Sequence, residues 1–256
     1  MTTINKIYIG TSAKNTFKVI SQYENMGVCL NMYNFNEKNF NVLEDLNQPI
    51  FLDNGSFERF TAFLKGEVEA SEYFDLQTAD FYFNKITNDY EMLLKKSKNP
   101  ENIILTIPEV IGSMELTQKL QQKYLIHYQN FEVKFNCKII VSLQFNPRGD
   151  LVDEIEHASE FIRNKISNTW IVGIPFGNDF KILQNERNFD IIKNIFNSTL
   201  KGYKAHLFAC GSVNKIKKYV MENSDFINSI DASTMMNLAK YSHYLSHTTQ
   251  KVFDIR

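Results

Sequence analysis

Several apolar runs of the 256-residue chain end on groups able to carry protons, attack carbon or hold a polar ligand. Asp53 closes the run PIFLD, and Asp231 closes INSID. Glu109 follows the run NIILTIP, Gln144 lies near the end of KIIVSLQF, and Gly173 to Gly177 close TWIVGIPF. Gly211 ends AHLFACG, and Ser212 follows it. A carboxylate can act as proton carrier or nucleophile, an amide offers both a donor and an acceptor, and a glycine lets a ligand approach the backbone. Each residue alone has an ordinary reading: an aspartate at a strand end caps or turns the chain, and a lone glutamine is solvated. VGIPFG by itself is a strand-to-helix turn. Their recurrence at successive run ends calls for an architecture that gathers those ends in one place.

The runs themselves supply one. Eight β-rich stretches occupy 6–10, 28–33, 49–53, 102–108, 138–145, 169–176, 205–211 and 227–231. Several are apolar almost throughout, as parallel strands covered on both faces should be. Helical patterns separate most of them. NTFKVISQYENM follows the first run, and ADFYFNKITNDYEMLLKKSK precedes the fourth. GSMELTQKLQQKYLIHYQNF is amphipathic through Met114, Leu116, Leu120, Tyr124 and Leu125. DLVDEIEHASEFIRNKI opens on Asp150 as N-cap. RNFDIIKNIFNSTL, VNKIKKYVMENS and STMMNLAKYSHYL complete the alternation. The expected fold is α/β, a (β/α)8 TIM barrel forming one domain over residues 1–256. An open doubly wound sheet is the alternative, but no GxGxxG or GxxxxGK[ST] turn is present.

Composition narrows the setting. A hydrophobic content of 43% suits a large core, and a formal charge of −1 leaves any nucleic-acid contact to local patches. Cys29, Cys137 and Cys210 are widely spaced, which argues against a zinc ribbon or disulfide framework and fits a reducing cytoplasm. No run reaches the length of a membrane span, and the first ten residues lack a signal-peptide pattern.

FLDNGSFERF resembles the D-S-G-G-F/Y-Q stretch of the tRNA-guanine transglycosylase superfamily. It is closer to the D-S-G-A-F form of the phage and bacterial enzymes that place 7-deazaguanines in DNA. TIPEV, SLQF, VGIPFGN, HLFACGS and INSIDAST are similar, in the same order, to that superfamily's later motifs, over roughly residues 50–235. The resemblance implies a base-exchange transglycosylase with Asp231 as nucleophile and Asp53 as acid/base. Retention at a glycosidic carbon needs two displacements and two such groups. It further implies that Phe57 stacks on the base, that Glu109 and Gln144 read its edge, and that the backbone of Gly173 and Ile174 meets the opposite edge. A polynucleotide, DNA in preference to tRNA, and a free 7-deazaguanine base are the implied partners, inside a prokaryotic cell or a phage-infected host. No cofactor and no metal enter the scheme.

The departures are informative too. The motif becomes Asp53-Asn54-Gly55-Ser56, and its glutamine becomes Glu58. Asn178 stands where the tRNA enzymes carry a glutamate associated with a cationic base, which points to a neutral base such as a nitrile-bearing 7-deazaguanine or guanine. After Asp231 the 25 remaining residues hold no cysteine, so the zinc-binding segment of the tRNA enzymes is not expected. A free nucleoside or nucleotide substrate, or a non-catalytic nucleic-acid-binding barrel, remain competing functions.

Three further features have open readings. His243 and His247 have an i, i+4 spacing suited to metal on a helix, without an evident third ligand. Lys215, Lys217 and Lys218 follow the seventh run, where barrels often bind phosphate, and equally suit a solvated helix face. The aromatic stretch 66–86 is longer than an ordinary connection and reads as a lid or as packing against the rim.

Overall fold

The computed structural model describes residues 6–10, 17, 20–22, 26–35, 37–44, 48–146, 149–177, 182–210, 215–220, 223, 225–232, 243–245 and 252–254. Eight parallel strands close into a barrel in sequential order. They are β1 (Lys6–Gly10), β2 (Met26–Asn31), β3 (Ile50–Asp53), β4 (Ile103–Thr106), β5 (Lys138–Ser142), β6 (Ile171–Pro175), β7 (Lys204–Phe208) and β8 (Ile227–Ala232). Closure is made by β8 pairing with β1, Tyr8 opposite Asp231.

Alternation along each strand divides the apolar residues between two places. Inside the barrel, Tyr8, Phe51, Ile104, Ile140 and Ile171 form one cluster, with Cys29 and Phe208 against it. Their neighbours Ile9, Val28, Leu52, Leu105, Val141, Val172 and Leu207 point outward into a larger core beneath the helices. The near-continuous apolar character of the runs is the sum of these two faces. Each is buried, so neither position along the strand tolerates a charge.

The helices are α1 (Glu37–Glu44), α2 (Ser56–Leu64), α3 (Ala70–Tyr73), α4 (Leu76–Lys96), α5 (Met114–Phe135), α6 (Leu151–Lys165) and α7 (Glu186–Asn197). Side-chain oxygens start four of them: Asp75 accepts from Thr78 N, Ser113 from Leu116 N, Asp150 from Val152 N and Asn185 from Arg187 N. Buried polar tips tie helix to strand. Tyr90 Oη donates to Leu52 O at 2.9 Å, and Gln121 Nε2 donates to Ser142 O at 3.0 Å. At the closed end of the barrel the single tryptophan, Trp170, donates from Nε1 to Glu132 Oε2 at 2.7 Å.

The structure corrects several sequence expectations. The second strand begins two residues earlier than its apolar run, at Met26, and α1 occupies a stretch with no clear helical pattern. Residues 243–245, expected within a final helix, form a short strand β9 (His243–Leu245) antiparallel to β10 (Val252–Asp254). His243 therefore lies on a strand, where the expectation placed it on a helix, and His247 lies outside the described residues. The expected helix NTFKVISQYENM falls largely outside them too, with Phe17 and Ile20 described as helical and buried. In VNKIKKYVMENS the described residues are 215–220 and 223, with one π-helical turn over Ile216–Val220.

The aromatic stretch 66–86 forms α3 and the start of α4. Tyr73 and Phe83 are buried, whereas Phe74 and Phe81 are exposed, so only half of those aromatics pack inward. The Arg59 guanidinium sits 4.6 Å from the Tyr73 ring centroid and donates to Tyr73 O at 2.8 Å, which anchors the segment. No described helix is long and apolar enough to cross a membrane.

Candidate active site

The open, C-terminal end of the barrel is where strand ends release their side chains, and each residue of the DNGS turn has a distinct task there. Asp53 is the last residue of β3 and shares the lumen face with Asn31 of β2, its register partner. Asn31 Nδ2 donates to Asp53 Oδ2 at 3.4 Å, and Gly55 N donates to Oδ1 at 3.3 Å. Asn54 turns away from the lumen and bolts the exit of β3 to that of β4, donating from Nδ2 to Ile107 O at 3.1 Å. Its Oδ1 accepts from Ser56 N at 2.9 Å, and Ser56 Oγ donates to Glu109 O at 3.1 Å. Gly55 has φ +76°, and a Cβ there would meet Tyr82 Oη at 2.7 Å and Tyr33 Cβ at 2.8 Å. Both the left-handed backbone and the crowding require glycine.

Glu109 and Gln144 meet across β4 and β5, Gln144 Nε2 donating to Glu109 Oε2 at 2.5 Å. Both are almost fully buried. Among the described residues, two buried polar atoms on these same two segments show no hydrogen-bond partner, Thr106 Oγ1 and Gln144 Oε1. Buried polar groups are normally satisfied, so this side of the mouth is built to receive hydrogen bonds from something else.

Asp231 has different company. Its Oδ1 accepts from Ala209 N at 2.8 Å and lies 3.1 Å from His206 Nε2. Ala209 adopts φ +53°, a left-handed conformation that costs a non-glycine residue about 1–2 kcal/mol and that aims its N–H at the carboxylate. His206 is fully buried, and its Nδ1 lies 2.9 Å from Ser229 Oγ. The rings of Phe51 and Phe208 surround it at centroid distances of 5.1 and 4.9 Å.

The electrostatics follow the company. Burial pushes the Asp53 carboxyl well above the ordinary aspartate range. The negative charges of Glu58, Asp231 and Glu109 push the same way, and the Gly55 N–H opposes them. Burial raises Glu109 as well, against the pull of Ser142, Gln144 and Asn54. Cys29, in the lumen layer below, is raised by burial and then by the negative charges of Asp53, Asp231 and Glu58. A carboxyl raised above its ordinary range, beside a second carboxyl held by hydrogen bonds, can divide acid/base and nucleophilic work.

The other residues singled out in the sequence fall as follows. Phe57, in the first turn of α2, leaves 47% of its surface exposed. Gly173 lies on the lumen face, but the space left by its missing Cβ is taken by the Phe208 ring, whose Cε2 would lie 2.3 Å from such an atom. Its carbonyl already accepts from Leu143 N at 2.8 Å. The close approach at Gly173 is thus made by a side chain of the protein itself. The Ile174 side chain points into the outer core. Asn178, Gly211 and Ser212 lie outside the described residues. Lys218 pairs with Glu186 at 2.7 Å, which favours the helix-face reading for that lysine. Among the described residues, no group of three or more His, Cys, Asp and Glu is arranged to hold a metal.

Sequence reasoning passed over His206, Asn31 and Glu58 as members of the mouth. Asn31 had a signal available, since it sits at the end of β2 as Asp53 does at the end of β3. His206 looked like one polar residue in an apolar strand.

No family model matches the chain, and no curated protein matches it. Among solved structures, the Clostridial cellulose synthase subunit Z (CcsZ) from Clostridioides difficile is similar in fold, with a TM-score of 0.55 and 12% sequence identity. That match covers 89% of this chain and 91% of the other. At such identity the likeness speaks for the barrel alone.

Proposed function

We propose that the protein is a base-exchange transglycosylase that replaces guanine in a polynucleotide, DNA in preference to tRNA, with a neutral 7-deazaguanine base. The observation that carries this reading is the contrast between two carboxylates at one barrel mouth. Asp53 is held in a half-buried, acidic setting that favours its protonated form, while one oxygen of Asp231 is met by both Ala209 N and His206 Nε2.

In the first displacement a carboxylate oxygen of Asp231 attacks C1′ of the target nucleotide and the C1′–N bond breaks. Asp53 delivers its proton to the departing base. In the second, Asp53 takes the proton from the incoming base, whose nitrogen attacks C1′ as the ester bond to Asp231 breaks. Two inversions give net retention. Glu109 and the unpartnered Gln144 Oε1 suit the N–H donors of a guanine-like edge. Phe57 offers an exposed face for stacking, worth about 1–3 kcal/mol per base. The ordered resemblance from FLDNGSFERF to INSIDAST supports the same assignment.

The test is incorporation of label. The protein is incubated with radiolabelled guanine or a labelled nitrile-bearing 7-deazaguanine, together with duplex DNA, single-stranded DNA, tRNA or free deoxyguanosine. Label in DNA is the expected result. Label in tRNA alone, or in the nucleoside alone, corrects the substrate, and no label in any arm overturns the reading.

A further inference from the structure

His206 is the residue through which the barrel interior acts on Asp231. It comes from β7 and is fully buried. Its two ring nitrogens have different partners: Nε2 is 3.1 Å from Asp231 Oδ1, and Nδ1 is 2.9 Å from Ser229 Oγ. A carboxylate oxygen accepts hydrogen bonds, so Nε2 is assigned as the protonated nitrogen. In the neutral ring Nδ1 then accepts, and the Ser229 hydroxyl donates to it. Ser229 and Asp231 lie on the same strand face, two residues apart, so β8 supplies both ends of the chain Ser229–His206–Asp231. Tyr8, Phe51 and Phe208 enclose the ring at centroid distances of 6.1, 5.1 and 4.9 Å. Asp231 is the one charged group that the described contacts bring to it.

Among the described residues, both donors to Asp231, His206 Nε2 and Ala209 N, reach Oδ1 and none reaches Oδ2. Among the described residues, then, Oδ1 is the tethered oxygen and Oδ2 the one that receives no donor. We propose that His206, with its tautomer set by Ser229, is a positioning residue that holds Oδ1 of Asp231 so that Oδ2 attacks, and that stabilises the carboxylate again when the covalent intermediate breaks down. This rests on the transglycosylase reading for its consequence, and on geometry alone for its arrangement.

The consequence follows from charge. While Oδ2 is bonded to C1′, Asp231 is a neutral ester and its Oδ1 is a weaker acceptor. When the incoming base attacks C1′, the C1′–Oδ2 electron pair returns to the carboxylate, and negative charge spreads onto Oδ1 between the two donors. Both hydrogen bonds are thus stronger in the free carboxylate than in the ester. Removing one shifts the balance toward the ester. The loss of a hydrogen bond to a charged group should raise the ratio of covalent adduct to free protein by about ten- to a hundredfold.

The arrangement is tested first in the free protein, independently of any reaction. Nitrogen-15 spectra of the histidine rings at pH 7 should show His206 protonated at Nε2 and unprotonated at Nδ1. The Nε2 proton signal should move in Asp231→Asn, and Ser229→Ala should loosen the tautomer preference. A ring protonated at Nδ1 alone, or an Nε2 signal indifferent to Asp231→Asn, overturns the proposal whatever the protein catalyses.

The consequence is tested with the polynucleotide that takes up label. Adduct is measured on denaturing gels for the parent, His206→Leu and His206→Gln, the last retaining an N–H donor. Adduct should accumulate in His206→Leu and return toward the parent level in His206→Gln. Equal or lower adduct in both, with folding intact by circular dichroism, overturns it. If no polynucleotide takes up label, the transglycosylase reading fails by itself and the ring spectra decide the arrangement.

Discussion

The exit of β3 and the exit of β8 each present an aspartate to the same space, yet the protein treats them in opposite ways. At β3 the backbone is secured and the carboxylate is left poorly supported. Asn54 and Ser56 bolt the turn to β4, while Asp53 itself receives, among the described residues, long hydrogen bonds of 3.3 and 3.4 Å in the company of other acids. At β8 the carboxylate is what is secured, by a strained alanine N–H and a buried histidine. The same side chain is thereby left short of donors in one place and supplied with them in the other. The difference lies in the donors within reach, and residue type alone does not announce it.

The comparison is broken most severely at Asp231. Asp231→Asn should abolish the covalent adduct and lower exchange by on the order of 10⁴–10⁶-fold, because an amide is a far poorer nucleophile. An adduct that persists in this variant but vanishes in Asp53→Asn would mean that the two roles are exchanged.

Asp53→Asn should cost about 10²–10⁴-fold with guanine as leaving base, and far less with a base that departs without protonation. It also carries a stability signature. A carboxyl whose pKa is raised in the folded state adds stability below its unfolded pKa, about 4, and loses that contribution as pH rises through the folded value. Asp53→Asn escapes that loss. Its melting temperature should exceed the parent's at pH 7–8, with the gap closing toward about pH 4. A variant that melts below the parent at neutral pH would show that Asp53 is ionised and well paired.

Phe57→Ala should raise KM for the polymer by about ten- to a hundredfold through lost stacking. Because the ring is half exposed, thermal stability should change little. An unchanged KM would remove Phe57 from the site.

Gly55→Ala probes the bolted turn. Left-handed backbone costs about 1–2 kcal/mol for alanine, and contact with Tyr33 and Tyr82 adds to it. The melting temperature should fall by roughly 4–8 °C, since about 1 kcal/mol shifts a chain of this size by 2–4 °C. A neutral substitution would show that the turn is softer than its packing suggests.

Much of the barrel was legible because a strand covered on both faces must be apolar along its whole length. Eight such runs alternating with amphipathic stretches leave few architectures. Run ends were legible for the same reason: Asp53 and Asp231 interrupt apolar stretches where burial would reject a charge. His206 was hidden by a change of phase. Between Ala205 and His206 the β7–β8 register slips, so that Ala205 faces Ile227 but His206 faces Ser229. One additional residue in β8 rotates the sheet partners, and simple alternation cannot reveal which residue of β7 lies beside Asp231. The strand at 243–245 was missed because a short hairpin depends on its partner more than on its own sequence.

Trp170 has a practical consequence. The chain's single indole is buried at the closed end of the barrel, hydrogen-bonded to Glu132, with its strand running away from it toward the mouth. Its fluorescence emission is an optical gauge of whether the barrel stands, and it is nearly blind to what occupies the mouth. A red shift during titration with a base or oligonucleotide would therefore announce damage to the protein, while a ligand that simply binds would leave the colour of the emission unchanged.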